Sequence, residues 1–154
     1  MLRKKTAAYA LLAIYEIAEQ QRGASTPHGV RAGDVADKHH LPKAYVAKIL
    51  SQLANAGVLR SDRGPRGGFR LNKPMEAITL YDVFDGVGAL MSDPTKPSTV
   101  NGLPPTVQTT LDRSQQEVSD AVRAVLRKTS IMDVLLGSQG NPGSRTSNPV
   151  VAHI

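Results

Sequence analysis

Two arginines in a glycine-rich stretch are the residues of this sequence best placed for chemistry. Arg63 and Arg66 lie between two short segments with strand character, among glycines and a proline that favour a tight turn. Phe69 and Leu71 alternate with Arg70, which is the two-residue period of a half-buried strand. We therefore predict a β-hairpin whose tip carries both arginines. Such a tip suits the negatively charged walls of a DNA groove.

A predicted amphipathic helix from Pro42 to Asn55 precedes the hairpin, and Pro42 suits its first position. Its buried stripe comprises Val46, Ile49, Leu50 and Leu53. Its other face comprises Lys43, Ala44, Ala47, Lys48, Ser51 and Gln52. Small and basic side chains together allow close approach and hydrogen-bond donation, as a helix in the major groove requires. The alternative is an ordinary surface helix.

The positive charge of the chain is concentrated on this helix and hairpin. The net charge is +6 over 154 residues. Residues 38–73 hold eight bases and one acid, a net charge of +7, whereas residues 91–154 hold six bases and five acids, a net charge of +1. A solvated basic face would have the same composition. Its coincidence with a helix and a basic hairpin favours a nucleic-acid footprint.

The composition excludes several classes of function. Cysteine is absent, which excludes disulfides, thiolate catalysis and cysteine-ligated zinc or iron–sulfur sites in this chain. No apolar run is long enough to span a bilayer, so we expect a cytoplasmic protein with no membrane partner. His39 and His40 are more consistent with a solvated helix end than with a metal site, and Asp82 and Asp85 with surface solvation than with acid–base catalysis. We find no enzyme constellation and expect no metal site.

The remaining helices are predicted from periodicity and capping residues. Apolar residues recur at three- and four-residue spacing from Thr6 to Gln21, and a short helix follows from Ala32 to His39. Thr79 is placed to cap a helix that ends near Gly86. Thr129 or Ser130 can cap a last short helix over residues 131–136.

A long helix over residues 106–128 carries a heptad-like seam. Its members are Val107, Leu111, Ser114, Val118, Ala121 and Val125. This spacing favours a subunit interface, and packing against the chain's own core is the alternative. The proline- and serine-rich residues 91–105 predict a linker or effector loop, and residues 137–154 a disordered tail.

These features, in this order and at this spacing, resemble the Rrf2 family of bacterial transcription regulators. The resemblance runs from about Thr6 to Leu90, and the hairpin from Arg63 to Leu71 is its most specific part. The other matching segments are Tyr9-Ala10-Leu11, Leu41-Pro42-Lys43-Ala44-Tyr45-Val46, Ile49-Leu50-Ser51-Gln52-Leu53, Ala56-Gly57-Val58-Leu59 and Ile78-Thr79-Leu80-Tyr81-Asp82-Val83.

The resemblance implies a homodimer in which one helix enters the major groove of double-stranded DNA and the hairpin, or wing, enters the adjacent minor groove. Tyr45 and Lys48 match recognition-helix contacts, although Tyr45 could equally be half-buried packing. Arg63 matches the wing arginine, and Arg31 lies where relatives touch the DNA backbone. Many members sense iron–sulfur status through three cysteines in the loop before the dimerisation helix. This chain has none, so that role does not transfer, and an unknown small-molecule or protein effector is implied instead.

We therefore predict a mainly α fold with a small β-hairpin wing. Residues 1–90 would form a winged helix-turn-helix domain and residues 106–136 the dimerisation helix and a short terminal helix. The predicted function is that of a dimeric transcriptional regulator, a repressor, that recognises an inverted-repeat operator. The alternative is a winged-helix module that binds an acidic protein. The predicted DNA-binding residues are Arg31, Lys43, Ala44, Tyr45, Lys48, Arg63 and Arg66, and the predicted dimerisation residues are Val107, Leu111, Val118, Ala121 and Val125.

Overall fold

A computed structural model of the protein describes residues 2–23, 28–90 and 102–137. Within these ranges the fold is mainly helical with one two-stranded antiparallel hairpin, as predicted. The elements in chain order are α1 (Lys4–Gly23), α2 (Ala32–Lys38), α3 (Lys43–Asn55), β1 (Leu59–Asp62), β2 (Gly68–Leu71), a short 3-10 helix (Met75–Ala77), α4 (Leu80–Gly86), α5 (Pro105–Arg127) and α6 (Ile131–Leu135).

Two helix boundaries next to the turn between α2 and α3 differ from the prediction. Pro42 is the residue before α3 rather than its first helical residue, because its ψ of 117° is extended. Its carbonyl accepts the first helical hydrogen bonds, from the amides of Tyr45 and Val46. The second helix ends at Lys38, since His40 adopts a left-handed conformation with φ of 53°. The amide of Leu41 then closes the helix end on the Ala36 carbonyl.

The core is built around the apolar stripe of α3. Val46, Ile49, Leu50 and Leu53 are all buried, as predicted, and they pack in one cluster with residues of α1 and α4. Full burial of each such side chain contributes about 1.5–3 kcal/mol. The burial fixes the rotation of α3 about its axis, so the face that carries Lys48 is directed to solvent.

The hairpin pairs Leu59 with Leu71 and Asp62 with Gly68. Residue Val30 adds an antiparallel bridge to Phe69 on the other edge of β2. The predicted alternation along β2 is wrong, because all four of its residues are half-buried. The side chain of Arg70 is half-buried, and its Nε lies 3.0 Å from Asp62 Oδ2 in an ion pair within the hairpin. The two groups are not aligned for a hydrogen bond.

Helices α4 and α6 begin side by side near the C-terminal end of α5. Thr79 caps α4 in a capping box with Asp82, which gives Asp82 a structural role. Of the two candidates for the last cap it is Ser130 that caps α6, in a second capping box with Asp133. A backbone bridge joins Thr79 to Ser130, and its hydrogen bonds include Leu80 N–H to Thr129 C=O at 2.9 Å.

The apolar face of α5 is exposed over most of its length. Its C-terminal end is anchored by Leu126 against the core and by Arg127, whose guanidinium lies 4.5 Å from the ring centroid of Tyr81, and Ser119 is buried farther along the helix. The exposed large apolar side chains are Val107, Leu111, Val118, Val122 and Val125, and Ala121 is exposed beside them. Among the described residues, therefore, the predicted seam does not pack against the core. Residues 91–101 and 138–154 lie outside the described ranges, so the linker, the tail and the division into domains stay predictions.

Candidate nucleic-acid interface

The solvent-directed face of α3 presents Lys43, Ala44 and Lys48, all exposed. No acidic side chain in the described ranges pairs with Lys48. Lys43 Nζ lies 3.0 Å from Asp37 Oδ1, and both side chains are about two-thirds exposed. An exposed ion pair of this kind is worth at most about 1 kcal/mol, so a phosphate can displace Asp37 from Lys43.

Tyr45 is less exposed than Lys43 and Ala44. It is half-buried, and its hydroxyl lies 2.7 Å from Thr6 Oγ1 at the start of α1. Its ring packs edge-on against Tyr9, with 5.5 Å between ring centroids. Tyr45 therefore packs within the chain, because both its ring and its hydroxyl have partners there. Its contact with DNA stays a prediction.

The tip of the hairpin presents Arg63 and Arg66, both exposed. A turn forms when the amide of Gly67 donates to the Gly64 carbonyl at 2.9 Å. Gly67 has no room for a side chain, since a Cβ atom there would lie 2.5 Å from the Asp62 carbonyl oxygen. The compact turn therefore places two guanidinium groups at the end of a narrow loop.

Arg31 lies beside this tip, at the start of α2. Its Nη2 donates a hydrogen bond of 3.0 Å to the Pro65 carbonyl oxygen, within an exposed part of the surface. The structure therefore brings Arg31, Arg63 and Arg66 into one cationic group on the wing. Lys43, Ala44 and Lys48 form a second group on the exposed face of α3.

Counting charges along residues 38–73 overstates the free charge of this surface. Glu16 pairs with Lys38 at 2.7 Å and Asp37 with Lys43 at 3.0 Å, and both acids lie outside that segment. Arg70 is paired within the hairpin. Within the described residues, the bases of the segment without an acidic partner are Lys48, Arg60, Arg63, Arg66 and Lys73.

Glu16 is a buried carboxylate that the sequence analysis missed. It is 2% exposed and accepts hydrogen bonds from Lys38 and Gln20. Burial alone raises the pKa of Glu16, but the hydrogen bonds from Lys38, Gln20 and His39 outweigh burial and lower this pKa to about 2. The position of Glu16 in the sequence could have revealed its burial, because it falls within the buried stripe of α1 that includes Ala13 and Ile17.

His39 is not the solvated residue that was expected. Its Nε2 lies 3.1 Å from Glu16 Oε2, so it joins α2 to α1.

Among the described residues, no cluster of three or more His, Asp or Glu side chains could hold a metal ion. The chain has no cysteine, and carboxylates and imidazoles alone do not fit an iron–sulfur cluster. In the same ranges, no helix has the length and apolar character needed to cross a membrane.

A helix-turn-helix formed by α2 and α3, followed by a basic hairpin, defines a winged-helix fold. The sequence profile of the Rrf2 family, described as an iron-dependent transcriptional regulator, matches residues 3–136. The chain belongs to the Rrf2 family, whose members are transcriptional regulators and not enzymes. The resemblance seen in the sequence is thereby confirmed.

Named relatives agree with this assignment. An HTH-type transcriptional regulator of Aquifex aeolicus is 33% identical over 88 residues, which cover 57% of this chain and 58% of that protein. The regulator BadM of Rhodopseudomonas palustris is 34% identical over 84 residues, 54% of this chain and 51% of BadM. The match thus spans little more than half the length of these relatives.

The structure of CymR, the global cysteine regulator of B. subtilis, is similar with a TM-score of 0.58. Its sequence is 24% identical, and the superposition covers 85% of this chain and 93% of CymR. This likeness supports the winged-helix fold.

Proposed function

We propose that the protein is a homodimeric transcriptional repressor that binds an inverted-repeat operator in double-stranded DNA through α3 and the wing. The observation that carries the proposal is the exposed cationic surface on these two elements. Lys48, Arg63 and Arg66 are exposed without an acidic partner among the described residues, and the fold holds them on α3 and the hairpin tip. Exposed lysine and arginine side chains without an acidic partner are available to replace the counterions around DNA phosphates.

The two elements would read different parts of the duplex. An exposed helix face with Ala44 between Lys43 and Lys48 suits the major groove, where small side chains permit close approach. The narrow glycine turn suits the minor groove, where an inserted arginine responds to groove width and negative potential. We assign Lys43, Ala44, Lys48, Arg31, Arg63 and Arg66 to contacts with DNA, and we assign Tyr45 to holding α1 against α3.

A second copy of the chain is the proposed partner of α5. Val118 and Val125 are 62% and 64% exposed, and they lie on one face with Val107, Leu111 and Ala121. A row of exposed apolar side chains on a 23-residue helix is costly in water, and pairing with an identical row would remove it from solvent. Two-fold pairing explains why an inverted repeat would be the target.

The signal that controls binding would not be an iron–sulfur cluster held by this chain, because thiolate ligands are lacking. We propose a small-molecule or protein effector of unknown identity, and a cytoplasmic location with the DNA. No cofactor is required for the contacts described above.

Selection of bound fragments from random duplex DNA by the purified full-length chain tests the proposal. We expect enrichment of an inverted repeat with half-site centres about 10 base pairs apart, or a multiple of that distance. Enrichment no greater than background would contradict it. The competing function, binding of an acidic protein by the basic wing, would also be sensitive to salt, but it would yield no palindromic sequence.

A further inference from the structure

We infer that the segment Gly29–Arg31 holds the wing in its DNA-binding position and that Arg31 is a positioning residue as well as a cation. The consequence of this inference for DNA binding rests on the proposed function. The structural part stands on contacts between this segment and the hairpin, which join the start of α2 to the wing tip.

Three backbone hydrogen bonds attach the segment to the hairpin. Val30 and Phe69 exchange both of their backbone bonds, at 3.0 Å and 2.8 Å. The amide of Gly29 donates to the carbonyl of Arg66 at 3.1 Å, which is in the turn itself. The segment therefore pairs with the outer edge of β2 through one bridge and continues to the wing tip.

Two glycines make this close approach possible. A Cβ atom on Gly29 would lie 2.6 Å from the backbone nitrogen of Gly68. A Cβ atom on Gly68 would lie 2.6 Å from the carbonyl carbon of Gly29, and Gly68 also has a φ of 138°. Both obstructing atoms belong to the backbone, so a side chain at either position would push the segment and the hairpin apart.

The side chain of Arg31 adds a further contact with the turn. Its hydrogen bond to the Pro65 carbonyl and the Gly29 bond to the Arg66 carbonyl engage two consecutive residues of the tip. A guanidinium has five N–H donors in a planar fork. One donor holds the Pro65 carbonyl, and the exposed remainder of the group is available to a DNA phosphate.

This arrangement reduces the cost of ordering the wing on DNA. Two strands of four residues form a hairpin that is marginal in isolation. A wing that must become ordered during binding loses conformational entropy at that step, whereas a wing already held in place does not. Arg31 therefore supports the binding of Arg63 by fixing the turn that carries it.

Hydrogen exchange in the free full-length protein tests the inference without DNA. In Arg31→Met, which keeps the length of the side chain but has no donor, we expect the amides of Gly29 and Gly67 to exchange about five-fold faster than in the wild type, because loss of one hydrogen bond raises the open population to that extent. Lys73→Met removes the same charge from an exposed position after β2 and should leave these rates unchanged. Unchanged exchange in Arg31→Met would overturn the positioning role of Arg31 and leave it as a simple cation.

A second variant acts on the backbone contact. Gly29→Ala should accelerate exchange at Phe69 and Gly67, while core amides of α3 such as Leu50 keep their protection. Unaltered protection of Phe69 in a folded Gly29→Ala protein would contradict the inference. If neither variant changes wing exchange, the positioning role fails. If the wild type selects no inverted repeat, the proposed function fails, and the exchange data still decide the positioning role.

Discussion

Tyr45 of α3 and Thr6 of α1 are joined by a hydrogen bond of 2.7 Å between their side-chain oxygens. The Tyr45 ring also packs on Tyr9. Tyr45 lies in the first turn of α3, the candidate recognition helix, and it therefore attaches that end of the helix to α1. This contact helps to set the tilt of α3 relative to the domain.

Replacing the Tyr45 hydroxyl should affect stability more than DNA binding. Tyr45→Phe removes one part-buried hydrogen bond and should lower the free energy of unfolding by about 1 kcal/mol, as measured by urea denaturation. Tyr15→Phe, at an exposed position of α1, serves as the control. An operator affinity that falls tenfold with stability unchanged would show that the hydroxyl contacts DNA instead.

Glu16 should make the protein sensitive to acid. Its pKa of about 2 lies below the ordinary value of 4.5, so its ionised form stabilises the folded state. This contribution is fully present above pH 4.5 and is lost as the pH falls toward 2, for a total of about 3 kcal/mol. Urea denaturation across this range should show the loss in the wild type and a flatter dependence in Glu16→Gln. Glu19→Gln, whose carboxylate is exposed, should retain the wild-type profile; equal profiles for all three proteins would contradict the assignment.

Asp37 should weaken DNA binding by holding Lys43 and by repelling phosphate. In Asp37→Asn, Lys43 is free, so we expect higher affinity for both operator and random duplex and a salt dependence steeper by about one. Asp112→Asn, on α5 away from the cationic surface, is the matched control. Lower affinity in Asp37→Asn would mean that Asp37 positions Lys43 for contact.

Val118 should be required for dimerisation. Val118→Asp places a carboxylate in an interface from which water is excluded, at a cost of several kcal/mol. We expect sedimentation as a monomer and much weaker operator binding, because two linked half-site contacts bind more tightly than one. Thr109→Asp puts the same charge on the opposite side of α5 and should remain dimeric. A dimeric Val118→Asp protein would place the interface elsewhere.

Arg63 and Lys48 should contribute differently to recognition. Arg63→Ala should lower operator affinity and weaken a preference for A·T-rich flanks, since an arginine in the minor groove responds to groove width. Lys48→Ala should cost about 1–3 kcal/mol at one half-site position if Lys48 contacts a base, or lower affinity equally on all sequences if it contacts phosphate. Binding isotherms on operator, flank-swapped and random duplexes separate these outcomes, and wild-type binding by Arg63→Ala would remove the wing from the mechanism.

Periodicity and turn chemistry were sufficient to predict the helices and the hairpin. The buried stripe of α3 and the caps at Thr79 and Ser130 follow from local spacing, which a linear sequence displays. The partners of individual side chains do not, because they depend on segments far apart in the chain. Arg31 meets Pro65, and Tyr45 meets Thr6, across 34 and 39 residues. Glu16 was missed for the same reason, since its compensating partners Lys38 and His39 lie on another helix.

The anchoring of α5 at its C-terminal end gives the helix the geometry of a lever. Its 23 residues extend about 34 Å at 1.5 Å per residue. Arg127 on Tyr81 and the Thr79–Ser130 bridge hold one end against the winged-helix domain. A rotation of only about 10° at that fulcrum displaces the far end of a rod of this length by about 6 Å. A displacement of that size exceeds the axial rise of B-DNA, about 3.4 Å per base pair. Small angular changes at the fulcrum would therefore be magnified to the scale on which DNA register is set.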